Sequence, residues 1–361
     1  MKAALPERSK AVALWLFAVA ALVFAMVIIG GATRLTGSGL SITEWKPVTG
    51  AVPPLSAEHW AEEFGKYRRI PQYRELNAGM TLAQFQAIYW WEWAHRFLGR
   101  AIGAVFALPF LLFLAFGRIP RRLIGRCLAL FALGGLQGLI GWWMVASGLV
   151  HRVEVAPERL TVHLGVALAI FCLAIWTGLE AWSGLGEAAR PGRWKALAAG
   201  FAGLVLLQIL LGGLVAGNDA GLVFNDWPWM NGRLFPADYL EGRPLGLALL
   251  HSQAAVQFNH RLGAYAVFGC ALLIAWGAAR SETLGWRSKR LAVALAGLVT
   301  AQLTLGIATL MARAPLGLSL LHQATAAVLL ATAVAFAWQV RRREQAREAL
   351  SPVLAPAGAR G

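Results

Sequence analysis

The sequence predicts an all-α integral membrane protein. Eight transmembrane helices are expected, arranged as two tandem four-helix bundles related by a pseudo-two-fold axis. Three observations lead there. The 361 residues are 58% hydrophobic and only 14% charged, a balance suited to a surface that faces hydrocarbon. Eight apolar stretches each reach the roughly 20 residues that a bilayer-spanning helix needs. The second half of the chain also repeats motifs of the first.

The stretches fall at about 11–33, 83–116, 123–147, 159–182, 195–217, 247–279, 290–311 and 317–340. The first follows Lys2, Arg8 and Lys10, as a signal peptide would. Its apolar run from Ala11 to Ala32 exceeds the ~7–15 residues of a cleaved segment, so a retained helix is expected. The second and sixth stretches are longer than one span and should tilt or project. In the first outer loop, segments 58–64 and 80–85 have the pattern of amphipathic helix lying on the membrane surface.

Basic residues orient the helices. With the N-terminus inside, the inner segments carry Lys2, Arg8, Lys10, Arg118, Arg121, Arg122, Arg126, Arg190, Arg193, Lys195, Arg280, Arg287, Lys289, Arg290, Arg341, Arg342, Arg343, Arg347 and Arg360, which is 19 of the 33 Lys and Arg. The outer loops carry 11, six of them in the long first loop. Both termini are therefore expected inside. The net charge of +15 then faces anionic headgroups. With no basic soluble domain, a nucleic-acid partner is excluded. Cys127, Cys172 and Cys270 fall in or beside apolar helices, and no CxxCH motif occurs, so neither an outer disulfide framework nor thioether-linked haem is expected.

The repeat is specific. Residues 30–50 align without gaps on 212–232, with Gly30/Gly212, Gly31/Gly213, Gly39/Gly221, Leu40/Leu222, Trp45/Trp227 and Gly50/Gly232 identical and Glu44 opposite Asp226. Ala94-His95-Arg96-Phe97-Leu98-Gly99 matches Asn259-His260-Arg261-Leu262-Gly263, Gln137 and Gly141 match Gln302 and Gly306, and His163 matches His322. An even number of spans per half keeps both halves in one orientation, a parallel repeat. The expected units are 1–185, with a long outer loop at 34–82, and 186–345, followed by a disordered cytoplasmic tail at 346–361.

Each half therefore places one histidine on its second helix and one on its fourth: His95 and His163, then His260 and His322. All four fall in the outer half of the membrane. Ionisable residues are costly in hydrocarbon and mark functional sites. Paired histidines in a helical bundle suit haem iron. A closed zinc site wants four ligands and suits them less, while a purely structural histidine would bond a neighbouring carbonyl. Arg96, Arg100 and Arg261 lie near the outer interface, placed either to neutralise haem propionates or to snorkel to headgroups. His59 and His151 fall in outer loops. His251 is nine residues before His260, half a turn off its face on a continuous helix.

The two halves differ at one position of interest. Glu92 precedes His95 by three residues, on the same helix face, and its counterpart is Gln257. A carboxylate there could move protons, or pair with Arg96 at i+4. The difference suggests chemistry in the first half and a permanent cofactor in the second.

Across residues 10–340 the chain resembles haem A synthases of the proteobacterial and mitochondrial type. The resemblance is carried by GGATRLTGSGLSITEWKPVTGAVPP, EWAHRFLGR, the fourth-helix His163, NHRLGAY and LHQ. It implies oxidation of a methyl group of haem O to the formyl group of haem A, for terminal oxidase assembly. It also implies His95 and His163 flanking the substrate haem O with Glu92 assisting, and His260 and His322 ligating a resident haem b. The implied setting is a bacterial cytoplasmic membrane with the haem sites toward its outer face. Partners would be lipid, haem O synthase and oxidase assembly factors, with the electron carrier left open. Some relatives carry a cysteine pair in the first outer loop, and this chain has none there. A di-haem electron-transfer cytochrome b and a haem transporter or insertion chaperone are the competing readings.

Overall fold

The computed structural model describes residues 8–184 and 192–342. The 185/186 boundary, the tail at 346–361, and Lys2, Arg190, Arg343, Arg347 and Arg360 lie outside the described residues. Within them the chain is helical, and eight helices are long and apolar enough to cross a membrane. These are α1 (Lys10–Leu35), α4 (Leu82–Ala115), α5 (Arg121–Ala146), α6 (Pro157–Ser183), α7 (Arg193–Gly217), α9 (Gln253–Arg280), α10 (Trp286–Met311) and α11 (Leu316–Gln339). The shorter α2 (Ala57–Tyr67) and α3 (Pro71–Glu75) lie in the loop between α1 and α4, and α8 (Leu245–His251) precedes α9.

The helix ends follow local chemistry. Ser9 Oγ accepts the Val12 N–H at 3.4 Å to start α1, and Pro157 occupies the first turn of α6, where no N–H is needed. Thr81 and Gln84 form a reciprocal capping box at the start of α4. That box corrects one expectation. Residues 80–85 are no separate surface helix; they are the cap and first turn of α4. Segment 58–64 does form α2, and its Trp60, Phe64 and Tyr67 pack on α4, with Phe64 stacked 4.9 Å from Phe85 and Trp60 edge-on 5.0 Å from Tyr89 between ring centres.

A second correction concerns the sixth apolar stretch. It is broken at Ser252, whose backbone is extended (φ −81°, ψ 122°). Its hydroxyl accepts the Ala255 N–H at 3.1 Å and donates to the Tyr239 carbonyl at 2.8 Å. Such a side chain competes with the helix for its own backbone, and apolar periodicity runs through it without a mark. His251 and His260 therefore sit on different helices, and a phase relation between them has no meaning. His260 becomes the eighth residue of α9, close to the seventh-residue places of His163 in α6 and His322 in α11.

In the first half α1 packs on α4 and α6, and α5 on α6; in the second α7 packs on α9 and α11, and α10 on both. Helices α1, α6, α7 and α11 make the central contacts between halves. At one end of these helices Arg34 bridges Glu154 at 2.7 Å and Asp219 at 3.0 Å. One pairing breaks the equivalence. Helices α9 and α10 pack along one another, whereas α4 and α5 meet over a much shorter stretch, with Phe131 of α5 stacked on Phe106 and Phe110 of α4.

Candidate functional site

A cavity of about 1180 Å³ runs between these helices and is lined by all four histidines, together with Glu92, Arg96, Arg100, Arg261 and Gln257. His59, His151 and His251 are not among its lining residues. His251 instead lies 3.8 Å from Glu158.

Each cavity histidine faces a glycine of a neighbouring helix. A β-carbon on Gly141, Gly212 or Gly306 would lie 3.0, 3.1 or 2.9 Å from Cε1 of His163, His260 or His322, and one on Gly30 would lie 3.7 Å from His95 Nε2. The missing side chains are what let the imidazoles lie against the adjacent helix. One turn before three of these glycines stands a glutamine. Gln137, Gln208 and Gln302 donate from Nε2 to the main-chain carbonyls of His163, His260 and His322 at 2.9, 2.9 and 3.0 Å. The same amide nitrogens lie 3.4, 3.0 and 3.2 Å from a ring nitrogen of those histidines. The fourth such place holds Met26.

This donor set fits haem. The rings of His260 and His322 have centres 6.5 Å apart and planes at 80°. Two metal–imidazole bonds of about 2.0–2.1 Å, with the distance from each nitrogen to its ring centre, span about 6.3 Å. His163 Nδ1 is buried without a partner, as a nitrogen kept for a metal would be. Among the described residues no group of three or more His, Cys, Asp and Glu converges.

The acidic and basic residues beside them are heavily engaged. Glu92 is 2% exposed. It accepts from the Ser41 hydroxyl and the Ile42 N–H, both at 2.7 Å, and from Arg96 at 2.6 and 3.0 Å. The ion pair with Arg96, one of the two arrangements open from the sequence, is thus present. Arg96 also donates to the carbonyls of Ile42 at 2.6 Å and Glu44 at 2.9 Å. Arg261 repeats this with Gln257 at 2.8 Å, Phe224 at 2.7 Å and Trp229 at 2.8 Å. Arg100 donates to Lys46 and Pro47 carbonyls, both at 2.8 Å. Arg100 Nη1 and Arg261 Nε are buried without a partner, two N–H groups left for a cavity anion. In the loop between α1 and α4, hydrogen bonds from Lys46 and Lys66 hold the Glu44 carboxyl below its ordinary range.

Sequence reasoning paired Gln137 with Gln302 but assigned them no task, and it passed over Gln208 and Met26. The signal that could have found them is local: a glutamine four residues before a glycine, on one helix face, in α5, α7 and α10.

Residues 13–334 match the family model described as cytochrome oxidase assembly protein. A protein of Caulobacter sp. (strain K31) named "Heme A synthase" is 59% identical over 336 residues, covering 93% of this chain and 98% of the relative. Its namesake in Caulobacter vibrioides is 58% identical with the same coverage. That in Maricaulis maris is 50% identical over 340 residues, covering 93% of this chain and 97% of the relative.

Proposed function

The chain belongs to the cytochrome oxidase assembly protein family, and we propose that it acts as a haem A synthase, oxidising a methyl group of haem O to a formyl group. Haem O would lie between His95 and His163 in the first half, residues 1–185. Haem b would reside between His260 and His322 in the second, residues 186–345, where it supplies a redox centre for electrons leaving the substrate.

The observation that carries this division is the seam between α4 and α5. Beyond the contact of Phe131 with Phe106 and Phe110 the two helices are less closely packed than α9 and α10, and Gly99 and Gly103 of α4 with Gly134, Gly135 and Gly138 of α5 line the cavity there. β-Carbons on Gly103, Gly134, Gly135 and Gly138 would meet nothing within 4 Å. An amphiphilic haem with a long apolar tail can enter such a seam from lipid. The counterpart between α9 and α10 is closed by packing, as suits a cofactor that stays.

The chain's own residues then divide the work. His95 and His163 orient the substrate, with Arg100 supplying a free N–H for a propionate; Arg261 does the same in the second half. Glu92 and Arg96 tie the outer loop to α4 and cover the first site from water. Proton transfer through Glu92 would require its pair with Arg96 to loosen, so its assistance is proposed to be first of all positional. The larger share of basic residues on the segments read as inner supports both termini inside and the sites toward the outer face, and the bacterial relatives support a cytoplasmic membrane. Haem O synthase and oxidase assembly factors are the proposed partners.

The test is co-expression with a haem O source, followed by mass analysis of extracted haems. Haem A or its hydroxylated precursor is expected. Folded protein with neither product would refute the activity, and haem passing through unchanged would favour a carrier.

A further inference from the structure

The four histidine sites share one plan, with one exception. Gln137, Gln208 and Gln302 stand four residues before the glycines that face His163, His260 and His322, and each glutamine bonds the histidine's carbonyl while touching its ring. These contacts hold the main chain and restrict rotation of the imidazole. On α1 the glycine is kept as Gly30, but the residue one turn earlier is Met26.

A thioether has no N–H to donate. The Met26 methyl reaches α4 one turn past His95, 3.6 Å from where a Gly99 β-carbon would stand. Among the described residues no side chain hydrogen-bonds the His95 ring. Its glycine also leaves more room, 3.7 Å against 2.9–3.1 Å at the other three sites.

We infer that His95 is the displaceable ligand of the first site, releasing the iron of bound haem while His163 stays attached. This rests on the haem-binding reading above. Partners that position a metal ligand from outside the coordination sphere typically matter about 10–100-fold in metal binding, and His95 lacks the main-chain hydrogen bond that a glutamine gives the other three histidines. A ligand that spends part of its time off the metal leaves that face open for that fraction. The difference has a use. A substrate haem must arrive, react and depart, whereas a resident one is best gripped from both sides.

The test uses the full chain, purified from cells that also make haem O, reduced without oxygen and titrated with carbon monoxide. The gas binds iron only where a ligand has left. The wild type is expected to bind it at one haem, and His260→Ala, which empties the second site, should retain that signal. Met26→Gln should lower carbon monoxide affinity about 10–100-fold with haem content unchanged, and Met26→Leu should behave as wild type. Gln208→Met should make the second haem reactive. Unaltered affinity in Met26→Gln with both haems present overturns the inference, as does reactivity residing in the His260/His322 haem. If the wild type carries no haem that His95→Ala perturbs, the binding reading itself fails, a result distinct from an unchanged titration.

Discussion

Glu92 and Gln257 occupy equivalent places in the two halves with opposite hydrogen-bond polarity. Glu92 accepts from the Ser41 hydroxyl and the Ile42 N–H, both at 2.7 Å, whereas Gln257 donates to the carbonyls of Ala220 and Val223, both at 2.6 Å. Arg96 and Arg261 then reach the matching carbonyls of Ile42 and Phe224 at 2.6 and 2.7 Å. One tie between outer loop and helix is thus made through a carboxylate in the first half and an amide in the second. Each loop presents the groups its partner needs.

Glu92→Gln is therefore not a neutral exchange. An amide has one oxygen for the three residues that now donate to Glu92, and its NH₂ would meet at least one donor. A cost of about 1–3 kcal/mol is expected from the unsatisfied buried group, read as reduced thermal stability in detergent. Turnover should fall strongly while resident haem is retained, because Gln257 and its loop are untouched. Wild-type turnover in Glu92→Gln or Glu92→Ala would remove the residue from the mechanism.

His260→Ala should abolish the resident haem spectrum, and Gly306→Ala should weaken it. The added methyl of Gly306→Ala would stand 2.9 Å from His322 Cε1, closer than carbon atoms pack, so the ring must shift. Absorbance of the purified protein checks both. Full haem content in Gly306→Ala would mean that the ring has room to move aside.

Gly138→Leu places a large side chain in the α4/α5 seam, where a β-carbon has open space around it. Folding and resident haem should be unaffected, while loading of haem O drops. Co-purified haem counted per chain separates the two. Undiminished loading would mean that substrate enters elsewhere.

Acid should loosen the first outer loop. Hydrogen bonds from Lys46 and then Lys66 hold Glu44 below its ordinary value of 4.5. A carboxyl depressed on folding contributes stability above its unfolded pKa, and that contribution is lost as pH falls through the lower, folded value. The Glu44 side chain is 42% exposed, so solvent screening limits the effect to about 1 kcal/mol or less. Limited proteolysis of the loop between about pH 6 and pH 3 should show protection decline below about 4.5. Protection that is level across this range, or lost well above it, would exclude Glu44 as the cause.

The sequence by itself determined the eight spans, the four cavity histidines and the internal repeat. Each of these is written locally. Hydrocarbon demands about 20 apolar residues in a row, and a histidine within such a run stands out against its neighbours. Tertiary structure alone decided the rest. The break at Ser252 depends on the Tyr239 carbonyl that its hydroxyl meets, and the open seam depends on how far α4 lies from α5. The binding of Glu92 to Ile42 and Arg96 settled which of two local possibilities was realised. Met26 is an ordinary apolar residue in an apolar helix until His95 is seen beside it without the glutamine that steadies the other three. Helix formation is a property of neighbouring residues, but the grip on a ligand is set by what the opposite helix presents.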